Sequence, residues 1–154
     1  MTIYLLALAM GVVAGLRAMT APAALSWGAH LGALQVAGTW LAFLAYPWVR
    51  WVLTALAVLE LISDQLPKTP SRTVPPQFGA RIVSGALGGA AIGAGAGSWL
   101  AGAVVGAIGA VIGTLGGKSF RAKLAAQFHR DPPAAFIEDA IAIGAAILIL
   151  VVRS

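Results

Sequence analysis

The chain has 154 residues, 60% of them apolar and only 10% charged, with a mean hydropathy of +0.91. Soluble domains carry about 25% charged residues, so a water-facing surface is excluded and an all-α integral membrane protein is expected. The lack of cysteine removes disulfide, thiolate and iron–sulfur chemistry, two histidines are too few for a tetrahedral zinc site, and the net charge of +5 reads as loop charge, not as a nucleic-acid surface.

Residues 3–16 form an apolar run that is short for a full span, which takes about 20 residues. The first charge, Arg17, follows this run, the reverse of a signal peptide, so the run is read as a mature segment. Pro22 predicts a break near residues 15–22 and leaves two readings. One is a single kinked helix with Arg17 inside the membrane. The other, preferred because Arg17 then reaches an interface, is a short helix ending at Arg17 and a second one returning to about residue 34. Residues 38–66 form the next span, with Trp40, Tyr46, Trp48 and Trp51 as an aromatic belt near its start. Pro67 to Pro76 is proline-rich, lacks apolar periodicity and reads as loop. Residues 79–96 and 98–117 are glycine-rich spans joined by a tight turn. In the first of them Gly85, Gly89 and Gly93 recur every fourth residue, the spacing of close helix packing within a chain or between subunits. The second runs on as an amphipathic helix past Lys118, Arg121 and Lys123, which face headgroups. His129 to Pro133 ends it, and a last span covers 135–152.

These elements give one membrane domain, 1–154, of five or six transmembrane segments. The basic loops 67–78 and 118–133 are expected to be cytoplasmic and the C-terminus outside, in the inner (plasma) membrane. Gly15-Leu-Arg17-Ala-Met-Thr20 echoes Gly79-Ala-Arg81-Ile-Val-Ser84, and Gly38-Thr-Trp40-Leu-Ala42 echoes Gly97-Ser-Trp99-Leu-Ala101. The echo suggests two related hairpins, 15–66 and 79–128, with flanking helices.

Carboxylates in such helices cost about 2.5–3.5 kcal/mol each near the centre of a bilayer, so they need partners or a task. Arg17, Glu60, Asp64, Arg81, Glu138 and Asp139 all fall at expected cytoplasmic helix ends. Glu60 and Asp64 share one helical face, and Glu138 and Asp139 open the last span, where the helix dipole favours anions. Four carboxylates and two arginines leave an acidic excess, which a counter-cation, a proton or a solvated vestibule would balance. As anchors, Arg17 would pair with Glu60 or Asp64, and Glu138 with Arg81 or Lys118. As a functional set, the six would bind an ion or small polar solute. No spacing specifies a metal, and no cofactor is implied beyond a bound cation. His129 reads as a headgroup contact.

The segments Gly15 to Pro22, Glu60-Leu-Ile-Ser-Asp64-Gln-Leu-Pro67, Arg81-Ile-Val-Ser-Gly85, Asp131-Pro132 and Glu138-Asp139 resemble a small bacterial membrane family described as domain of unknown function 4126. The resemblance spans nearly the whole chain and implies that the charged set recurs. It supplies no activity. The family pattern has a further Asp shortly after the proline of the Glu60 element, where this chain has Thr69 and Pro70, so no metal role is carried over for that loop. The leading expectation is a small channel or transporter, partnered by the bilayer and by further copies of itself through a glycine face. The alternatives are a non-enzymatic scaffold or partner subunit and, more remotely, a lipid-pyrophosphate phosphatase using Ser71 and Arg72.

Overall fold

The computed structural model describes residues 1–66 and 70–154. Pro67, Lys68 and Thr69, part of the expected loop 67–78, lie outside the described residues. Every regular element among the described residues is helical: α1 (Thr2–Leu16), α2 (Thr20–His30), a 3-10 helix (Trp40–Ala45), α3 (Pro47–Ser63), α4 (Pro75–Ala94), α5 (Trp99–Phe128) and α6 (Asp131–Arg153). Prolines set three of the starts, at Pro47, at Pro75 and at Pro132 in the first turn of α6. A missing N–H is harmless there, because first-turn donors have no partner within the helix. The α5 helix ends at His129, whose φ of 54° is left-handed and turns the chain into α6.

The break expected near residues 15–22 falls at residues 17–19, between α1 and α2. Pro22 then sits in the first turn of α2, where it is tolerated. Met10 of α1 and Leu25 of α2 both lie against Gly88 of α4, so α2 returns alongside α1 as a hairpin. From there the helices alternate in direction up to α6. The ends of α1, α3 and α5 and the starts of α2, α4 and α6 therefore share one end of the molecule, and Trp40 to Pro47 belongs to the other.

The centre is built on absent side chains. α5 packs against both α1 and α4 and meets each of them backbone to backbone. A Cβ added to Gly85 would stand 2.7 Å from the Gly106 carbonyl oxygen, and one added to Gly15 would stand 2.6 Å from the Thr114 nitrogen. Such proximity is the usual basis of helix association in lipid. Of the two uses that the spacing of Gly85, Gly89 and Gly93 allows, this face is taken up by packing within the chain, against α5.

The span count is corrected. Among the described residues two helices, α5 and α6, are long and apolar enough to cross a membrane, where five or six segments were expected; α1 is apolar but has only 15 residues. The reason is fragmentation. α2 has 11 residues, and the 3-10 turn takes the start of the expected span 38–66, leaving 17 for α3. In α5 and α6 only 39% and 33% of the most apolar window is buried, so both helices turn most of that surface outwards, unlike the core helix of a soluble protein.

The echoed segments occupy comparable places. Gly38 and Gly97 both adopt positive φ, 76° and 68°, which glycine alone does without strain. The tryptophans that follow them, Trp40 and Trp99, meet edge to face with ring centroids 5.8 Å apart.

Candidate functional site: an arginine–carboxylate cluster at a helix break

Breaking a helix exposes carbonyls at one new end and N–H groups at the other, and all need partners when buried. Arg81 of α4 supplies the first, donating to the carbonyls of Gly15 and Leu16 at 2.8 and 2.7 Å. Glu60 of α3 supplies the second, accepting from the N–H groups of Ala18 and Met19, each at 2.8 Å. The two side chains lie 3.7 Å apart. Ser84 donates its hydroxyl to the Ala18 carbonyl, and Thr114 lies 3.2 Å from that of Gly15. The gap between α1 and α2 is therefore held by groups from α3, α4 and α5.

Arg17 occupies this gap in an extended conformation, and its side chain is fully buried. It pairs with Asp64 at the end of α3 and with Asp139 of α6, and stands 4.0 Å from Glu138. Gln65 reaches Asp139 at 3.4 Å. A second layer closes over these groups. Arg72, ahead of α4, makes a two-pronged pair with the buried Glu138. Arg121 of α5 binds Asp131 through Nε at 2.9 Å, reaches the Asp64 carbonyl at 3.3 Å and stands 3.8 Å from Glu138. Removing either partner of a buried pair leaves a stranded charge, so these contacts fix one another.

All six residues singled out from sequence meet here. Arg17 takes Asp64, one of its two expected partners, whereas Glu138 takes Arg72 in place of the expected Arg81 or Lys118. Arg72 corrects a further expectation: assigned to an exposed linker, it is only 9% exposed because its segment folds back over α6. Arg121, expected at headgroups, turns inward instead. The acidic excess shrinks accordingly, since four arginines now face all five carboxylates of the chain. Among the described residues no three acidic or imidazole side chains converge to hold a metal ion. Of the residues named for the phosphatase reading, Arg72 is held by Glu138 and the Ser71 hydroxyl contacts that of Thr73 at 3.0 Å.

Two clefts reach the cluster from outside. One, of about 480 Å³, is lined by Asp64, Arg72, Arg81, Lys118, Arg121 and Asp131. The other, of about 650 Å³, is lined by Met19, Glu60, Ser63, Asp64 and Gln77 among others. Asp64 is a wall of both. Past Arg17, towards the opposite end, the interior is filled by Met10, Leu25 and Ile92, all fully buried. No protein-family model, curated protein or solved structure matches the chain.

Proposed function

We propose that the chain is a small multi-pass transporter of the bacterial inner membrane that moves an ion or small polar solute through the Arg17–Asp64 region. The observation that carries this reading is the position of Asp64, paired to a buried arginine yet lining two clefts. A purely structural ion pair needs no such access. The broken α1–α2 hairpin supports the same reading, because interrupted helices with their ends at a polar site are a recurring device of transporters. A proton or cation arriving at Asp64 weakens its hold on Arg17. Arg17 then leans on Asp139 and Glu138, and the α1–α2 gap is free to shift. The basic residues Arg72, Lys118, Arg121, Lys123 and Arg130 belong to the cluster end and only Arg50 and Arg153 to the other, which supports a cytoplasmic cluster with both termini outside. The short helices α1 to α3 pack within the membrane as a bundle with α4, α5 and α6. The resemblance to domain of unknown function 4126 fits this assignment, since the charged segments that carry it are those of the cluster.

Flux through reconstituted vesicles tests the proposal. Asp64→Asn abolishes ion or solute movement and leaves a monodisperse, helical protein; unchanged flux rejects it. Glu60 is a poorer target, because it caps α2 and its loss mixes folding with function.

A second reading has its own support. Arg81 and Glu60 bond chiefly to backbone, which is what a membrane scaffold would need to hold its hairpins together. That reading predicts no flux in the unaltered protein and a lower melting temperature for Asp64→Asn.

A further inference from the structure

Every side-chain carboxylate of the chain belongs to the cluster, so among the described residues the arginines at the opposite end have no acidic side chain to pair with. Arg50, in the first turns of α3, is the sharpest case. Its guanidinium lies over the rings of Trp27 and Trp51, 5.1 and 5.8 Å from their centroids. Stacking of this kind holds the plane in place and leaves its edge for an acceptor. Its Nε and Nη1 are buried and have no hydrogen-bond partner among the described residues. The nearest carboxylates of its own helix begin ten residues on, about 15 Å away at 1.5 Å per residue. The side chain as a whole is only half-buried, so an anion from outside the chain can approach this uncompensated charge.

A groove begins beside the same tryptophan. Trp27 donates through Nε1 to Thr54 at 3.0 Å, one turn along α3 from Arg50, and both Trp27 and Thr54 line an apolar groove of about 510 Å³ between α2, α3 and α6. Its α6 wall runs from Ile143 to Ser154, which at 1.5 Å per residue is about 16 Å, close to half of the roughly 30 Å hydrocarbon core. A cation without an anion at the mouth and an apolar trough one leaflet deep describe the two parts of one molecule.

We infer that the Arg50–Trp27–Trp51 stack and the adjoining α2–α3–α6 groove form a binding site for an anionic phospholipid, with the phosphate on the edge of Arg50 and an acyl chain along Ala24, Ala57 and Ile147. This site lies at the end of the molecule away from the charged cluster, and its test does not involve flux.

The full chain in uncharged detergent is titrated with phosphatidylglycerol or phosphatidylcholine carrying brominated acyl chains, and tryptophan quenching is followed. The unaltered protein responds to phosphatidylglycerol at about tenfold lower mole fraction, the size of effect expected for a charged hydrogen bond. Arg50→Gln removes the preference, and Arg50→Lys retains part of it. Ala24→Leu, which fills the groove with a good helix former, weakens quenching by both lipids and does not depend on Arg50→Gln folding. Equal responses to the two lipids in the unaltered protein, or a preference that survives Arg50→Gln, overturn the proposal. Inorganic phosphate raising the melting temperature as much as phosphatidylglycerol would identify a free-anion site and overturn the lipid assignment.

Discussion

One end of this chain gathers all five of its carboxylates and the other all five of its tryptophans. The two ends solve the same difficulty in opposite ways. At the charged end Arg17, Arg72, Arg81 and Arg121 find carboxylate partners within the protein. At the aromatic end Trp40, Trp48, Trp51 and Trp99 are all substantially exposed, and Arg50 has no carboxylate at all. That end is finished by its surroundings. A polar group at the edge of a bilayer can thus be satisfied by closing the protein around it or by lending it to the headgroups, and this chain does one at each end.

The glycine seam keeps the ends in register, so the largest effect belongs there. Gly106→Leu forces a side chain into the backbones of Gly85 and Gly89, and loss of the folded state, by more than about 4 kcal/mol, is expected as aggregation in size-exclusion chromatography. Gly116→Leu, at a position with open space, leaves the elution profile unchanged. The self-contained character of the charged end is probed next. Glu138→Leu strands Arg72 and should cost about 3–5 kcal/mol in a denaturant or thermal melt. The double variant Arg72→Met with Glu138→Leu should recover much of that loss, and a purely additive result would show that the two do not act as a pair. At the aromatic end Trp40→Ala removes an edge-to-face contact with Trp99 worth about 0.5–1.5 kcal/mol, and the change should depend on lipid composition in a way that Glu138→Leu does not. The smallest effect is expected for Asp131→Asn. Asp131 is the most exposed member of the charged set, with its side chain 57% accessible, and its pair with Arg121 should contribute about 1 kcal/mol or less and fade with added salt.

The charged end was readable in the sequence because charge stands out against hydrocarbon. Arg17, Glu60, Asp64, Arg81, Glu138 and Asp139 each interrupt an apolar run, and all six meet in the fold. Arg72 carried no such signal, because it sits among prolines with no periodicity, and nothing in composition separates a loop that folds inward from one that does not. Arg121 was hidden differently: a helix that outlasts the bilayer normally turns its cations to headgroups, and only the left-handed turn at His129 brings Asp131 round to meet it. The division of labour inside the cluster was also out of reach. Whether Glu60 caps a helix or faces a cleft depends on which peptide units are left bare at residues 17–19, a matter of backbone geometry. The number of spans was not legible for a related reason: apolar content does not mark where α2 ends after 11 residues or where a 3-10 turn takes the place of the start of α3.

The capping of the α1–α2 gap has a consequence for synthesis. The two halves of the first hairpin leave the ribosome long before Glu60 and Arg81, the later side chains that do most to seal its bare peptide groups. The hairpin must therefore stay open to water, or be sheltered by the insertion machinery, until α4 has emerged, and a chain truncated before Arg81 should leave the N-terminal turn accessible to protease.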